Sequence, residues 1–323
     1  MTTITDIQTR AFAQTASDII ANVERVIQGK RRAIELVLLA IVAEGHLLIE
    51  DVPGVGKTSL AKALAKSIDL PFGRVQFTPD LLPSDVVGMS IWNRLDSTFE
   101  FRRGPIFSGI VLGDEINRAS PKTQSALLEA MAEEQVTVDG TTYPLPHPFM
   151  VIATQNPIEY EGTYPLPESQ LDRFLMRISV GYPSQDSELA ILSTHGQGGV
   201  VDSLDPVTTA AQVIEMVQVA RAVSVHPDIS RYLVQLADAT RRHPSLALGM
   251  SPRATLGWQR AARALAALNG RSFVMPDDLK TLAHPILAHR LMLTPDAQLQ
   301  GRTTAEAVDD ILRTVPTPAW DGR

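Results

Sequence analysis

Residues 51–58 read Asp51-Val-Pro-Gly-Val-Gly-Lys-Thr58, straight after the apolar run Leu47-Leu-Ile49 and straight before the helical pattern Leu60-Ala-Lys-Ala-Leu-Ala65. A strand that enters a glycine-containing turn and leaves it as a helix is a phosphate-binding loop in its proper setting. The N–H groups of such a turn close around phosphate oxygens, and the positive end of the following helix adds to the attraction. Lys57 is placed to reach the outer phosphates, and the Thr58 hydroxyl to bind Mg²⁺. Asp51 departs from the usual G-x-x-x-x-G-K-[ST] form, standing where the first glycine is ordinarily found, so the loop must turn on Pro53, Gly54 and Gly56. The expected nucleotide-binding set is Pro53, Gly54, Val55, Gly56, Lys57, Thr58 and Ser59.

Around this loop the apolar pattern alternates between strand and helix. Strands are expected at 47–50, 74–78, 110–112, 149–154 and 175–180, with helical stretches such as 121–133 between them and two helices, 4–27 and 30–43, before the first strand. Such alternation predicts an α/β fold, a parallel five-stranded sheet covered on both faces. Two segments break the pattern as hairpins: 88–101, turning around Leu95-Asp-Ser-Thr98, and 135–143, turning at Asp139-Gly140. After Tyr182-Pro-Ser184 the strand signals stop, and helices are expected at 185–194, 210–222, 228–242, 252–269 and 276–288, with a surface loop at 196–199. With 323 residues, beyond the roughly 250–300 at which single cores stop growing, two domains are predicted: a core at 1–182 and a small all-helical domain at 183–323.

Composition narrows the function classes. A hydrophobic content of 44% with 20% charged residues is that of a globular protein. The net charge of -7 argues against a broad nucleic-acid surface, which needs clustered Lys and Arg. No apolar stretch approaches the ~20 residues needed to cross a bilayer, and the polar start of the chain lacks a secretory pattern, so a cytoplasmic location is expected. The absence of cysteine excludes disulfides and thiolate-held metals.

Ligands of doubly covered parallel sheets sit at the carboxyl ends of the strands. Three segments are expected there: the loop at 51–58, the acidic pair Asp114-Glu115 after Ile110-Val-Leu112, and Asn156 after Val151-Ile-Ala-Thr-Gln. Asp114 suits a Mg²⁺ water shell and Glu115 suits taking a proton from an attacking water. Asn156 has two readings: its amide orients that water, or, standing before Pro157, it simply forms a turn. Arg173, in Leu171-Asp-Arg-Phe174, and Arg253, in Gly249-Met-Ser-Pro-Arg253, are ordinarily surface ion-pair residues. Phosphoryl transfer nevertheless calls for extra positive charge in the transition state, which a neighbouring copy can supply.

From about Gln28 to Arg290 the chain resembles the MoxR-type AAA+ ATPases of the helix-2-insert branch. The resemblance is carried, in order, by Glu50-Asp-Val-Pro-Gly-Val-Gly-Lys-Thr58, Gln76-Phe-Thr-Pro-Asp-Leu-Leu-Pro-Ser-Asp85, Gly113-Asp-Glu-Ile-Asn-Arg-Ala119, Pro121-Lys-Thr-Gln-Ser-Ala-Leu-Leu-Glu-Ala130, Ala153-Thr-Gln-Asn-Pro157, Gly162-Thr-Tyr-Pro-Leu-Pro167 and Gln170-Leu-Asp-Arg-Phe174. It implies an AAA+ αβα sandwich with a helical lid, ATP and Mg²⁺ as ligands, and the two hairpins as inserts facing a ring's pore or a partner. Lys57 and Thr58 become Walker A, Asp114 and Glu115 Walker B, Asn156 sensor 1, Arg173 the arginine finger and Arg253 sensor 2, while Gly29 falls where such proteins contact adenine. The resemblance further implies a hexameric ring working with a partner that bears a von Willebrand factor A (VWA) domain, to mature a client complex or insert its cofactor. Gly113 stands for the more usual Ala before the acids, and Met250 for Ala before Ser-Pro-Arg; neither removes a functional group. Rival readings are a metal-chelatase motor subunit, a nucleotide-switched scaffold with negligible hydrolysis, and a DNA-acting motor, the last disfavoured by the acidic balance.

Overall fold

The computed structural model describes residues 6–157, 163–195 and 200–319. The loop expected at 196–199, Gly162, and the first residues of the helix expected at 4–27 lie outside them. In chain order the first part comprises α1 (Asp6–Glu24), α2 (Arg31–Val42), β1 (His46–Glu50), α3 (Lys57–Ser67), β2 (Phe72–Gln76), α4 (Pro83–Val87), β3 (Gly88–Asn93), β4 (Thr98–Arg103), β5 (Ile110–Asp114), α5 (Pro121–Glu133), β6 (Gln135–Val138), β7 (Thr141–Pro144), β8 (Met150–Gln155), α6 (Glu168–Leu171) and β9 (Phe174–Ile178).

Strands β2, β5, β8, β1 and β9 lie side by side in that order, and every pair is parallel. Successive strand residues point to opposite faces, and here both faces are apolar. Leu47, Ile49, Ile110, Leu112 and Ile152 join one buried cluster, while Leu48, Val111, Val151 and Phe174 join the other. Burial of each such side chain contributes about 1.5–3 kcal/mol, which is why these strands read as unbroken apolar runs rather than alternating ones. The layers are helix, sheet, helix, as the sequence predicts. Each strand departs by one or two residues from its expected bounds, and β2 is displaced at both ends. β2 begins at Phe72, not at residue 74, because Phe72 pairs with Ile110 and Gly73 with Val111. Gly73 packs too tightly for a side chain, since a Cβ there would lie 2.5 Å from the Pro105 carbonyl oxygen.

Both hairpins are present. In the second, Asp139 (φ 50°) and Gly140 (φ 77°) form the left-handed two-residue turn that matches strand twist. Phe101 stacks on Tyr143 with ring centroids 4.3 Å apart, joining the two hairpins. The first hairpin carries exposed Trp92 and Phe99 in edge contact, and Leu95 at its tip is 94% exposed.

The second part comprises α7 (Gln185–His195), α8 (Ala210–Ala222), α9 (Pro227–Arg242), β10 (Leu246–Leu248), α10 (Pro252–Leu268), α11 (Pro276–Leu287), β11 (Met292–Leu293), α12 (Pro295–Leu299) and α13 (Thr304–Thr314). The helical lid is as expected, with three additions: the short antiparallel pairing of β10 with β11, and the helices α12 and α13. α13 was not foreseen, although its start signal is in the sequence: Thr303 and Glu306 exchange side-chain and backbone bonds as a capping box. Among the described residues the lid shares its core with the first part. Trp258 of α10 is wholly buried in the same cluster as α1, α2 and α3, and α1 packs on α10 and α8 as well as on α2 and α3.

Candidate nucleotide site

The loop between β1 and α3 owes its shape to two glycines. Gly54 (φ 83°) and Gly56 (φ 88°) hold left-handed conformations that other residues enter only with strain, and a Cβ at Gly54 would meet nothing within 4 Å. Pro53 is exposed and fixes its own φ without offering an N–H. Donors therefore start at Gly54 and run through Val55, Gly56 and Lys57 into the first turn of α3, where Thr58 and Ser59 sit half-buried. Val55 anchors the loop by packing on the core. Lys57 Nζ lies across the loop, donating to the carbonyls of Asp51 at 2.7 Å and Val52 at 3.2 Å.

β8 lies between β1 and β5, so its carboxyl end separates the phosphate loop from the acidic pair. Gln155 pairs with Glu50 and accepts a bond from Asp51 N at 3.2 Å, which sets Asn156 beside the start of the loop; Asn156 is 8% exposed. With strands about 4.8 Å apart, the loop and Asp114 are roughly 10 Å from one another. That span suits the phosphate chain of a nucleotide. Asp114 Oδ1 accepts from Thr154 Oγ1 at 2.7 Å and Oδ2 from Arg74 Nη2 at 2.8 Å. Glu115 is itself left-handed (φ 58°), and its N–H donates to the same Thr154 hydroxyl at 2.9 Å. Its Oε2 accepts from Gln76 Nε2 at 2.9 Å and Arg118 Nη1 at 3.1 Å. Arg74, Gln76, Arg118 and Thr154 were not singled out from sequence. The available signal was positional, since Arg74 and Gln76 fall at the carboxyl end of the strand neighbouring Asp114.

A cleft of about 250 Å³ opens beside the loop, lined by Val26, Ile27, Gln28, Gly54, Gly181 and Pro183 among others. Apolar side chains on one wall and loop backbone on the other suit a flat heterocycle joined to phosphates. Gly29 (φ 70°) does not line it; its neighbours Gln28 and Lys30 do. Gly29 faces a separate crevice between α2, β9 and α11, and a Cβ there would come within 2.6 Å of Ser187 Oγ.

Arg173 and Arg253 are at the other end of the sheet. Arg173 precedes β9, whose first residue, Phe174, pairs with His46 at the start of β1. The five residues of β1 put about 15 Å between that level and the loop. Arg173 Nη1 donates to the Leu128 carbonyl of α5. Arg253 is exposed in the first turn of α10, whose N-cap Ser251 donates to Asp172 Oδ2 at 2.8 Å. Both arginines thus flank one ion pair, between buried Arg290 and half-buried Asp172: Arg290 Nε donates to Asp172 Oδ1 at 3.0 Å, and Arg290 Nη1 to the Leu175 carbonyl at 2.9 Å. Burial draws the Arg290 pKa down to about 10, which leaves it charged at neutral pH. Arg253, given by resemblance as sensor 2, thus stands on a helix that packs against β9 near Leu175, away from the phosphate loop of its own copy.

Comparison with known proteins follows the same lines. Residues 46–176 match the family profile "ATPase family associated with various cellular activities (AAA)", and residues 238–311 match "AAA lid domain". The uncharacterised Bacillus subtilis protein YeaC is 51% identical over 93% of each chain. Chaperone MoxR1 of Mycobacterium tuberculosis is 40% identical over 95% of this chain and 84% of its own. A crystal structure from Cytophaga hutchinsonii, proposed to be an ATPase, superposes with a TM-score of 0.90 at 39% identity, covering 97% of both chains. Phosphate loop, acidic pair, sheet order and lid together with these likenesses lead to one conclusion: the chain belongs to the MoxR-type AAA+ ATPases.

Proposed function

We propose that the protein hydrolyses ATP in a ring of identical copies and uses the cycle to remodel a client. The observation that carries this reading is the division of the site between the two ends of one sheet. Lys57, Thr58, Asp114, Glu115 and Asn156 gather at the carboxyl ends of β1, β5 and β8, while Arg173 and Arg253 lie too far away to reach them in the same copy. A neighbouring copy has to bring the arginines, and a head-to-tail contact of that kind forms a ring when its rotation closes.

Within this reading the loop N–H groups from Gly54 to Thr58 and the Lys57 ammonium hold the phosphates. Thr58 and Asp114 offer the hard oxygen ligands that suit Mg²⁺, in a cradle where Gly54 leaves open space. Bound there, Mg²⁺ supplies charge neutralisation at the phosphates. Glu115 takes the proton of the attacking water, and Asn156 orients that water. In the structure the Glu115 carboxylate is tied to Gln76 and Arg118, so it has to leave at least one of them to act as a base. The exposed Trp92, Leu95 and Phe99 of the first hairpin are the apolar contact surface for the pore or a client. The resemblance supports six copies, a VWA-domain partner and a client complex needing maturation or cofactor insertion; the relative named Chaperone MoxR1 supports the remodelling role.

Phosphate release by purified Glu115→Gln protein is the direct test. The variant is expected to bind ATP and not turn it over; turnover at the wild-type rate would end this reading. What co-purifies with that ATP-bound variant identifies the client.

A further inference from the structure

The residue that breaks the phosphate-loop pattern is itself employed. Asp51 is 8% exposed, and its carboxylate is turned toward the end of β9 rather than into the loop. Oδ2 accepts from Ser179 Oγ at 2.9 Å and from the N–H groups of Val180 and Gly181, each at 2.7 Å, while Oδ1 accepts from Val52 N at 3.0 Å. Burial alone would push this carboxyl up; the bonds from Gly181, Ser179, Val180 and Val52 outweigh it and hold the group below the usual carboxylate range. Glycine, the ordinary occupant, can make none of the side-chain bonds. The gripped segment runs directly into 181–183, where Gly181 and Pro183 line the same cleft as Gly54, Val55 and Gly56. Lys30 Nζ pins the same segment from the other side, donating to the Tyr182 carbonyl at 2.6 Å.

We propose that Asp51 is a positioning residue for nucleotide binding: it ties the base-side wall at 181–183 to the phosphate cradle at 54–58 and so fixes the width of the cleft between them. The inference rests on the ATP-binding reading of the site. Asp51→Gly in the full-length protein restores the common loop pattern and removes the tie. The KM for ATP is expected to rise about tenfold with kcat within about twofold, the scale of a lost charge-assisted hydrogen bond. Inhibition by inorganic tripolyphosphate, which needs the cradle alone, should stay at the wild-type level. A merely structural role gives the opposite split, fewer active molecules with lower kcat and an unaltered KM. That split, a wild-type KM, or equal weakening of ATP and tripolyphosphate overturns the proposal. Should the glycine variant not fold, Asp51→Asn keeps the shape and one acceptor oxygen; its KM should rise about threefold, and a wild-type KM would count against the tie in the same way. Wild-type protein that neither binds nor hydrolyses ATP refutes the ATPase reading itself and takes this inference with it.

Discussion

Thr154→Val measures how far Asp114 and Glu115, the proposed metal ligand and general base, depend on the strand beside them. Thr154 is wholly buried, and one hydroxyl serves both acids, donating to Asp114 Oδ1 at 2.7 Å and accepting from Glu115 N at 2.9 Å. Valine keeps the shape and removes both bonds. Stranding the Glu115 N–H costs about 1–3 kcal/mol, and losing a charge-assisted bond to Asp114 about 1.5–3 kcal/mol. Asp114 keeps Arg74, and its side chain is 13% exposed, so a water takes over part of the loss and the total settles near 3 kcal/mol. For 323 residues at about 2.1 cal/mol/K each, the unfolding entropy is about 0.7 kcal/mol/K, and the thermal midpoint should drop by about 4 °C. Activity should suffer more. Glu115 sits at φ 58°, a conformation its backbone bond helps to hold, and a general base displaced by about 1 Å loses on the order of a hundredfold in rate. The expected result is kcat down about a hundredfold with the Kd for ATP within about threefold of wild type, because the phosphate loop is untouched. Calorimetry, equilibrium binding and phosphate release read the three quantities. A variant with wild-type midpoint and wild-type kcat would show that the shared hydroxyl does not hold the acids.

Lys57→Ala should abolish nucleotide binding, and Arg173→Ala should bind ATP and lose at least about a thousandfold in kcat. Mixed one to one, these two inactive proteins should regain about a quarter of wild-type activity, since a random ring pairs an intact loop with an intact arginine at that frequency; no recovery in rings shown to mix would refute the shared site. Arg290→Met leaves the Asp172 carboxylate with little besides Ser251 and should destabilise by about 3–5 kcal/mol, read as a midpoint about 4–7 °C lower. An unchanged midpoint would mean that the ion pair does not join lid to core. His46 is buried between the Met131 carbonyl and the Val151 N–H, and burial lowers its pKa from 6.5 to about 4. The unfolded chain therefore binds the proton first, so stability declines as pH falls from about 6.5 towards 4, by up to about 3 kcal/mol. In His46→Gln that share of the slope should vanish, and an identical slope would disprove the assignment.

The phosphate loop was legible because its chemistry is local: strand, glycine turn, lysine and helix follow one another within a dozen residues. The acidic pair and Asn156 could be assigned to the same end of the sheet for a similar reason, each standing directly after an apolar run. Less was legible where a short element lacks a pattern. β10 and β11 have three and two residues, too few to show alternation, and exist because the lid brings them together. Thr154 reads as one more strand residue, and only the pairing of β5 with β8 gives its hydroxyl two acids to serve.

The order of residues alone determined the α/β layering, the two hairpins, the helical lid and the cradle for phosphate, because apolar period and turn chemistry act over a few neighbours. The tertiary structure decided where the lid sits, that α1 shares its core, and hence that Arg253 and Arg173 lie together far from their own copy's loop. It also decided what Asp51 does, which depends on residues 128 to 130 positions further along. Contacts at such separations are set by the packing of whole layers, and no local pattern in the chain encodes them.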